Sequence, residues 1–566
     1  MDTAEPVSDP ETPDMHGAYP RLSGPQIQAL AAYGMRRRTQ PGDVLFREGD
    51  PTCDFFVLLE GKVAIVEGYG TEGERVLSVH GPGRFLGELS LLTGEAVFVT
   101  AVVREPGEVL AVPLQQLRLL VGKDPMLGDL ILRAYLIRRS ILIEHGAGFR
   151  IVGSRFSPDT RRLREFAARN RLPHRWIDVE EDKAAEMLLR RLGVEPDQAP
   201  VVLWRQQVLH NPSNADLARV LGLRRLNSGE RVRDLVVVGA GPAGLAAAVY
   251  SASEGLSTTV LDAVATGGQA GTASRIENYL GFPVGISGGE LAERAEIQAE
   301  RFGAQLSVPA EATALHQRDG CHLVELADGD AVTGWTVLVA TGARYRKLAV
   351  SRLDEFEGVS VHYAATQVEA QLCRNDPVAV VGGGNSAGQA AVFLAQHAVR
   401  VRLLIRHDDL GANMSRYLVD RIEQDSRIEV LRHTEVRQLV GHRGVLEALV
   451  VHDNRTGEQR RMQARMLFVF IGAEPHVGWL GDQLAVDDKG FILTGPDAVR
   501  SGVERAQRDG RGPFLLETSR AGVFAAGDVR CGSIKRVASA VGEGAMAVRL
   551  VHEYLRALRG AASAGG

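Results

Sequence analysis

Two stretches of this sequence place glycines where a backbone can cradle phosphate. In the first, LVVVGAGPAGLAAAVYSASEGLSTTVLD from Leu235 to Asp262, Gly239, Gly241 and Gly244 stand at G-x-G-x-x-G spacing directly after four apolar residues. Such a run reads as a buried parallel strand, a tight turn and a helix. Gly239 permits the turn, Gly241 lets the backbone approach a pyrophosphate, and Gly244 lets the helix lie against the strand. Pro242, followed by Ala243, suits the first helical turn, where its missing N–H costs nothing. The unpaired N–H groups of that helix start attract phosphate. The next strand, Thr258 to Leu261, ends on Asp262, about twenty residues beyond the glycines, where a carboxylate can accept from a ribose hydroxyl.

The second stretch, Val378 to Arg406, repeats the logic with Gly382, Gly384 and Ala387 as G-x-G-x-x-A. Asn385 and Ser386 can cap or line the helix start. Its second strand ends on Arg406 and His407 instead of an acid, and a cation there suits a ribose carrying a 2′-phosphate. Two such sites in one chain predict two dinucleotides: a bound flavin, FAD, and a nicotinamide that reduces it, NADPH in preference to NADH.

Electrons must then leave. The chain has only four cysteines, Cys53, Cys321, Cys373 and Cys531, with no C-x-x-C and no metal-ligand spacing. At 566 residues it should hold three or four domains. A net charge of −5 with no strongly basic half gives no reason to expect DNA or another nucleic acid as partner. No apolar run approaches about 18 residues, so no membrane span is expected. Residues 1–20 open acidic and proline-containing with no apolar core, which predicts a disordered tail, no signal peptide and a cytoplasmic location.

The elements that must position these sites form a multidomain chain. In residues 21–146, PGDVLFREGDPTCDFFVLLEGKVAIVEG alternates apolar and polar with glycine and proline at intervals. That pattern predicts a β-barrel or jelly roll. With GELSLLTGEAVFVTAVV, Gly87 to Val103, it resembles the cyclic-nucleotide-binding domain family. The resemblance implies that Gly87 and Glu88 face the ribose and phosphate of a nucleotide-like effector. Val97 stands where the family's phosphate-pairing arginine falls and cannot pair with a phosphate. The leading expectation is therefore a structural or interaction domain that has lost this ligand. The helix from Leu127 to Gly146, with Arg138 and Arg139, is expected to pack on a partner surface or a second subunit.

Residues 147–226 read as βαβαββα and resemble the thioredoxin/glutaredoxin fold. The family's redox pair falls on Ser157-Pro158-Asp159-Thr160, where neither hydroxyl can form a disulfide. Ala199-Pro200 sits at the family's cis-proline. A docking surface for a redox partner and an inert spacer both remain open. NADLARVLGL could open a helix-turn-helix, but no recognition helix follows it in sequence, so DNA binding is not expected.

The remainder resembles the thioredoxin reductase family: two Rossmann-like three-layer α/β domains, the FAD domain in two parts (231–347 and 467–566) split by an NAD(P)H domain (348–466). Gly267, Gly268 and Gln269, then ENYLGFP with Asn278, match the family's segments along the flavin. Thr341 and Gly342 match the loop leaving the first flavin half. Gly527 and Asp528 match the ribityl contact, and Val537 and Ala538 begin the last helix. The resemblance also implies a homodimer and a nicotinamide domain that rotates about crossings near Tyr345 and Phe470. The family's dithiol should fall near Ala365 and Val368, and neither is nucleophilic. Cys373 reads as a small core side chain. Cys531 follows the Asp528 loop without a resolving partner. His362 and Tyr363 read as packing residues, and no catalytic residue is assigned. The expected function is NADPH oxidation through FAD to an unidentified acceptor, regulated by the N-terminal domain. Two alternatives stand beside it: a thioredoxin-disulfide reductase using a partner's thiols, and a non-catalytic flavin- or ligand-sensing protein.

Overall fold

A computed structural model describes residues 10–50, 53–71, 73–87, 97–191, 194, 199–205, 207–223, 232–273, 275–357, 359–363, 365, 369–370, 373, 376–442, 444–500 and 511–564. The chain divides into two compact units, 1–226 with 307–309, and 227–306 with 310–566. Among the described residues no helix is long and apolar enough to cross a membrane.

In the first unit, strands Met35–Thr39, Thr100–Val112, Phe55–Glu67 and Arg75–His80 lie antiparallel in that order. Short strands Val44–Phe46 and Phe85–Leu86 close the barrel onto Thr100–Val112 and Phe55–Glu67. Buried Phe55, Phe56, Val57 and Leu58 open the longest inner strand. The segment before the barrel is docked over its described part, contrary to the disordered tail expected for residues 1–20. Thr12 N–H donates to Val79 O at 3.0 Å, Glu11 pairs with Arg84 at 2.9 Å, and Ala18 and Tyr19 are buried. An aromatic anchor, ion pairs of Glu11 and hydrogen bonds of Thr12 thus hold the described part of what composition marks as tail.

The helix Pro125–Glu144 starts on Asp124, whose carboxylate accepts from Met126 and Leu127 N–H. It was expected to meet another molecule. Instead Arg138 and Arg139 are buried and turned to two sides of the same unit, while Arg133 is exposed. Arg138 donates to Ala18 O (2.6 Å) and Phe85 O (3.0 Å) on the barrel, and Arg139 to Arg171 O (3.1 Å) and Asn170 O (3.2 Å) beyond it. After it, strands and helices alternate as read from sequence, and the strands order Gln207–His210, Val201–Trp204, Phe149–Val152, His174–Ile177. Phe98 leaves the barrel to join Phe149, Phe166 and Trp204 in this second core.

The second unit is built on two sheets with parallel centres, the first extended by the antiparallel strands Cys321–Leu326 and Ala312–Arg318. In the first, Arg233–Val238 is flanked by Thr258–Leu261 and Ala331–Val339, with Val523–Ala525 beyond the latter. The register Val238↔Leu261 ends two strands together, so Gly239 and Asp262 must be neighbours. The second sheet runs Val361–His362, Met466–Val469, Pro377–Val381, Arg400–Leu404, Ile428–Leu431. Two strands cross between the halves, Ala343–Tyr345 paired antiparallel with Ala473–Pro475. Met466–Val469 pairs with Val378–Val381, so residues 467–469 belong to the sheet of the second glycine turn, and the return to the first half falls at 473–475, later than the expected boundary at 467. The apolar run Leu467–Val469 is buried in an inner strand, and hydropathy alone does not say in which sheet.

Candidate functional site

The first turn is as tight as its glycines suggest. Gly239 has φ +108°, and a Cβ there would lie 2.3 Å from Ala340 O. A Cβ on Gly244 would lie 1.8 Å from Gly239 O, so helix Pro242–Ser253 rests directly on the turn. Gly241 is its N-cap and Pro242 its first residue. Among the described residues a Cβ on Gly241 would meet only Gly268 Cα, at 3.9 Å, so no side chain crowds this point of the turn. Asp262 is tied into this turn: its carboxylate accepts from the backbone N–H of Ala240 (2.8 Å), Val264 (2.9 Å) and Ala265 (3.1 Å). A carboxylate offers about four acceptor sites. Asp262 therefore fastens the turn and keeps about one site for a ribose hydroxyl.

The other residues read from sequence gather around the C-terminal ends of the same strands. Gly267 N–H donates to Ala240 O (2.7 Å), and Gln269 Nε2 donates to Ala343 O. Thr341 Oγ1 donates to His476 O (2.8 Å), and Gly342 has φ +65°. These bonds hold the segment at the two crossing strands. Gly527 N–H donates to Glu543 Oε2 (2.8 Å), and Arg530 grips the same carboxylate at 2.6 Å. Among the described residues nothing donates a hydrogen bond to the Asp528 carboxylate, and burial lifts its pKa, partly offset by Lys535 and helped by Glu543. A part-buried carboxylate left without a donor fits a site that expects hydroxyl groups. The last helix begins at Val537, the start read from sequence. Asn278 is exposed, and its neighbour Glu277 pairs with Arg421 of the nicotinamide domain at 3.2 Å. The Glu543–Arg530 clamp was missed: a Glu seven residues into a helix carries no motif, and only the packing of that helix brings it under the turn.

In the second turn, a Cβ on Gly382 (φ +140°) would lie 2.3 Å from Phe470 O. Gly384 caps helix Asn385–Leu394. Asn385 faces inward to accept from Ser415 N–H at 2.6 Å, so it braces a neighbouring loop, while Ser386 is exposed at the helix start. Arg406 and His407 are exposed just past strand Arg400–Leu404, and the Arg406 guanidinium makes no ion pair among the described residues. A cation left open beside a phosphate-cradling turn fits a 2′-phosphate.

No disulfide joins any of the four cysteines. Ala365, at the first expected dithiol position, is buried; Val368 lies outside the described residues. Cys373 is wholly buried beside Ala365, Val378 and Leu394, and burial pushes its thiol up to about 12. Cys531 is held by the backbone of Ile492 (2.8 Å), and burial, with a hydrogen bond to Asp487, raises its pKa. His362 is buried against Phe468. Tyr363 donates to Glu357 (2.5 Å) and stacks on Tyr345 of the crossing strand at 6.1 Å.

In the barrel, Gly87 has φ +90° and a Cβ there would lie 2.3 Å from Asp54 O, so the turn itself requires glycine. Glu88 lies outside the described residues. Val97 is buried, its backbone pinned to Gly49 and Asp50. In the second core, Ser157 caps helix Pro158–Arg169 by accepting from Thr160 N–H, Thr160 is buried, and Ala199-Pro200 is cis.

Residues 36–124 match the cyclic nucleotide-binding domain. The chain is 35% identical over 326 residues to a thioredoxin reductase of Treponema pallidum, covering 58% of this chain and 98% of that protein. It is 31% identical, over the same shares, to a 34.2 kDa protein in the rubredoxin operon of Clostridium pasteurianum. Among solved structures, T. acidophilum thioredoxin reductase matches with a TM-score of 0.51 and 29% identity, over 58% of this chain and all of that one. The protein is thus an NAD(P)H-dependent flavoprotein oxidoreductase whose cofactors are FAD and NADPH. With residues 233–544 matching the family across both glycine turns and both crossing strands, the chain belongs to the pyridine nucleotide-disulphide oxidoreductases.

Proposed function

We propose that this protein passes electrons from NADPH through FAD to an acceptor outside the chain, without an internal dithiol. In this reading the turn at Gly239, Gly241 and Gly244 and the helix start at Pro242 and Ala243 hold the FAD pyrophosphate, with Asp262 on its ribose. Gly268, Gln269, Asn278, Thr341 and Gly342 line the flavin, Asp528 on the Gly527 turn meets the ribityl chain, and Val537 and Ala538 point amides at the ring. Gly382, Gly384, Asn385 and Ser386 take the NADPH phosphates, and Arg406, with His407, takes the 2′-phosphate. FAD supplies two-electron acceptance from a nicotinamide when bound.

The observation that carries the reading is the state of the thiols. The thiolate is the nucleophile in disulfide exchange. A buried Cys373 near 12 is ionised to only about one part in 10⁵ at pH 7, and no second sulfur is bonded to it. We further propose that 147–226 is thioredoxin-like, which its strand order and the cis Ala199-Pro200 support. Ser157 serves there as a helix cap where the family has a reactive cysteine, so the domain acts as a docking surface. The barrel is regulatory in this reading, since it shares Phe98 with the second core, and the protein acts as a cytoplasmic homodimer.

Anaerobic addition of NADPH to the purified protein tests the main claim. The flavin absorbance near 450 nm should bleach, and an external carrier or quinone should restore it. The double variant Cys373→Ala/Cys531→Ser should turn over within twofold of the parent. Bleaching followed by reoxidation with thioredoxin, lost in that variant, would replace this reading with a disulfide reductase. Absence of bleaching would favour a sensor.

A further inference from the structure

Three consecutive carbonyls after strand Arg400–Leu404 are tied down from outside their own loop. Arg406 O accepts from Asn454 Nδ2 (3.0 Å), His407 O from His433 N–H (3.4 Å) and Asp408 O from Arg432 Nε (2.9 Å). The neighbouring strand supplies two of these donors. Arg400–Leu404 and Ile428–Leu431 run parallel with Leu404 opposite Leu431, so both leave the sheet at the same level. Ile405 N–H still donates to Leu431 O at 2.9 Å, and Thr434 N–H to Ile405 O at 2.9 Å. Arg432 and His433 are thereby set beside Arg406 and His407.

This register brings a second arginine to the loop that ends the nicotinamide turn. Arg432 is exposed, and its Nε is spent on a backbone carbonyl. The two terminal nitrogens of its guanidinium have no hydrogen-bond or ion-pair partner among the described residues. Nor do the acids of the loop neutralise the arginines. Among the described residues neither Asp408 nor Asp409 pairs with Arg406 or Arg432, and the Asp409 carboxylate accepts from Gly411 N–H at 2.7 Å. A phosphate monoester carries about −1.5 to −2 charges at pH 7, more than one guanidinium compensates. His407 is the poorer second partner. The two nitrogens of an imidazole lie on different edges of the ring, whereas a guanidinium presents parallel N–H groups as a fork that matches phosphate oxygens.

We propose that Arg432 is a specificity-determining residue of the nicotinamide site, placing a second guanidinium beside Arg406 on the 2′-phosphate of NADPH, ahead of His407. This rests on the reading that the Gly382 turn and Arg406 hold that cofactor, and the test separates the two.

Calorimetric titration of the oxidised holoprotein with NADP⁺ and NAD⁺ reads binding without turnover. Arg432→Gln should weaken NADP⁺ by about fivefold or more and leave NAD⁺, which lacks the 2′-phosphate, within about twofold of the parent. His407→Gln should weaken NADP⁺ by less than about twofold. Added to Arg406→Gln, the Arg432→Gln change should cost NADP⁺ about threefold or more again. An arginine that only braced the loop beneath Arg406 would cost nothing further once Arg406 is gone. Retained flavin absorbance and circular dichroism show that each variant has folded. Equal weakening of NADP⁺ and NAD⁺ by Arg432→Gln overturns the proposal. So does no further loss in the double variant, or a His407→Gln cost as large as that of Arg432→Gln. If Arg406→Gln weakens NADP⁺ selectively and Arg432→Gln does not, Arg432 loses its role and the reading of the site stands. If neither change is selective for NADP⁺, that reading falls as well.

Discussion

At the scale of single residues, charge and burial decide which side chains remain available. Arg406 is exposed and open while Asn385, beside the same turn, is spent on Ser415. Removing the first should therefore cost specificity and not folding. Arg406→Gln should raise KM for NADPH about tenfold, about 1.4 kcal/mol, and leave KM for NADH unchanged in steady-state assays. An equal rise for both cofactors would place the 2′-phosphate elsewhere. His322 shows the opposite case. It is 1% exposed in strand Cys321–Leu326, and burial first, then Arg520, lower its pKa from 6.5 to about 4. Below pH 6.5 the unfolded chain takes up a proton that the folded one refuses, so this residue's contribution is intact above 6.5 and is lost as pH falls toward 4. Between pH 7 and pH 5 the loss is about 2 kcal/mol. His322→Gln should remove that much of the pH dependence of urea unfolding, and an unchanged pH slope would show that the ring protonates in place.

At the scale of elements, the flavin turn depends on how closely helices approach it. The last helix, Val537–Ala564, crosses helix Pro242–Ser253 so tightly that a Cβ on Gly544 would lie 2.1 Å from Ala243 O, whereas a Cβ on Gly542 meets nothing within 4 Å. The two glycines are indistinguishable in sequence. Gly544→Ala should destabilise by about 1–3 kcal/mol through overpacking and yield protein with less than half the parental flavin-to-protein absorbance ratio. Gly542→Ala should be neutral or stabilising by about 0.5–1 kcal/mol, since alanine is the better helix former. Full flavin content in Gly544→Ala would mean that the helix start tolerates displacement.

At the scale of the whole molecule, the nicotinamide and flavin domains are joined by two short strands and by one exposed ion pair, Arg421–Glu277. Such a pair is worth about 0–1 kcal/mol. It biases an arrangement without locking it, which suits the domain rotation that the thioredoxin reductase resemblance implies. Arg421→Ala should change the anaerobic rate of flavin reduction by NADPH by up to about fivefold and flatten its dependence on ionic strength in stopped flow. A salt dependence as steep as the parent's would remove the pair from that motion. Within the N-terminal unit, Val97 packs in the barrel core and Phe98 in the next, so adjacent residues connect the barrel with the domain that follows it.

Much of this was legible from local pattern, because the features concerned are local. A strand, a glycine turn and a helix start are specified by residues within one short stretch, and the strands at Leu235 and Thr258 and the helix starts at Pro242 and Asn385 fall where spacing placed them, while the start at Val537 falls where the family resemblance put it. The missing C-x-x-C pair was legible for the same reason, being a pattern of near neighbours in sequence, whereas only folding decided that none of the four distant cysteines pair. What only the tertiary structure decided were matters of long-range contact. It assigned Met466–Val469 to one sheet over the other, turned Arg138 and Arg139 inward, docked the residues before the barrel, set Glu543 beneath Gly527, and brought Arg432 to the loop of Arg406. Burial and the pairing of side chains far apart in sequence are properties of packing, and hydrophobic periodicity carries no record of which distant atom will lie opposite.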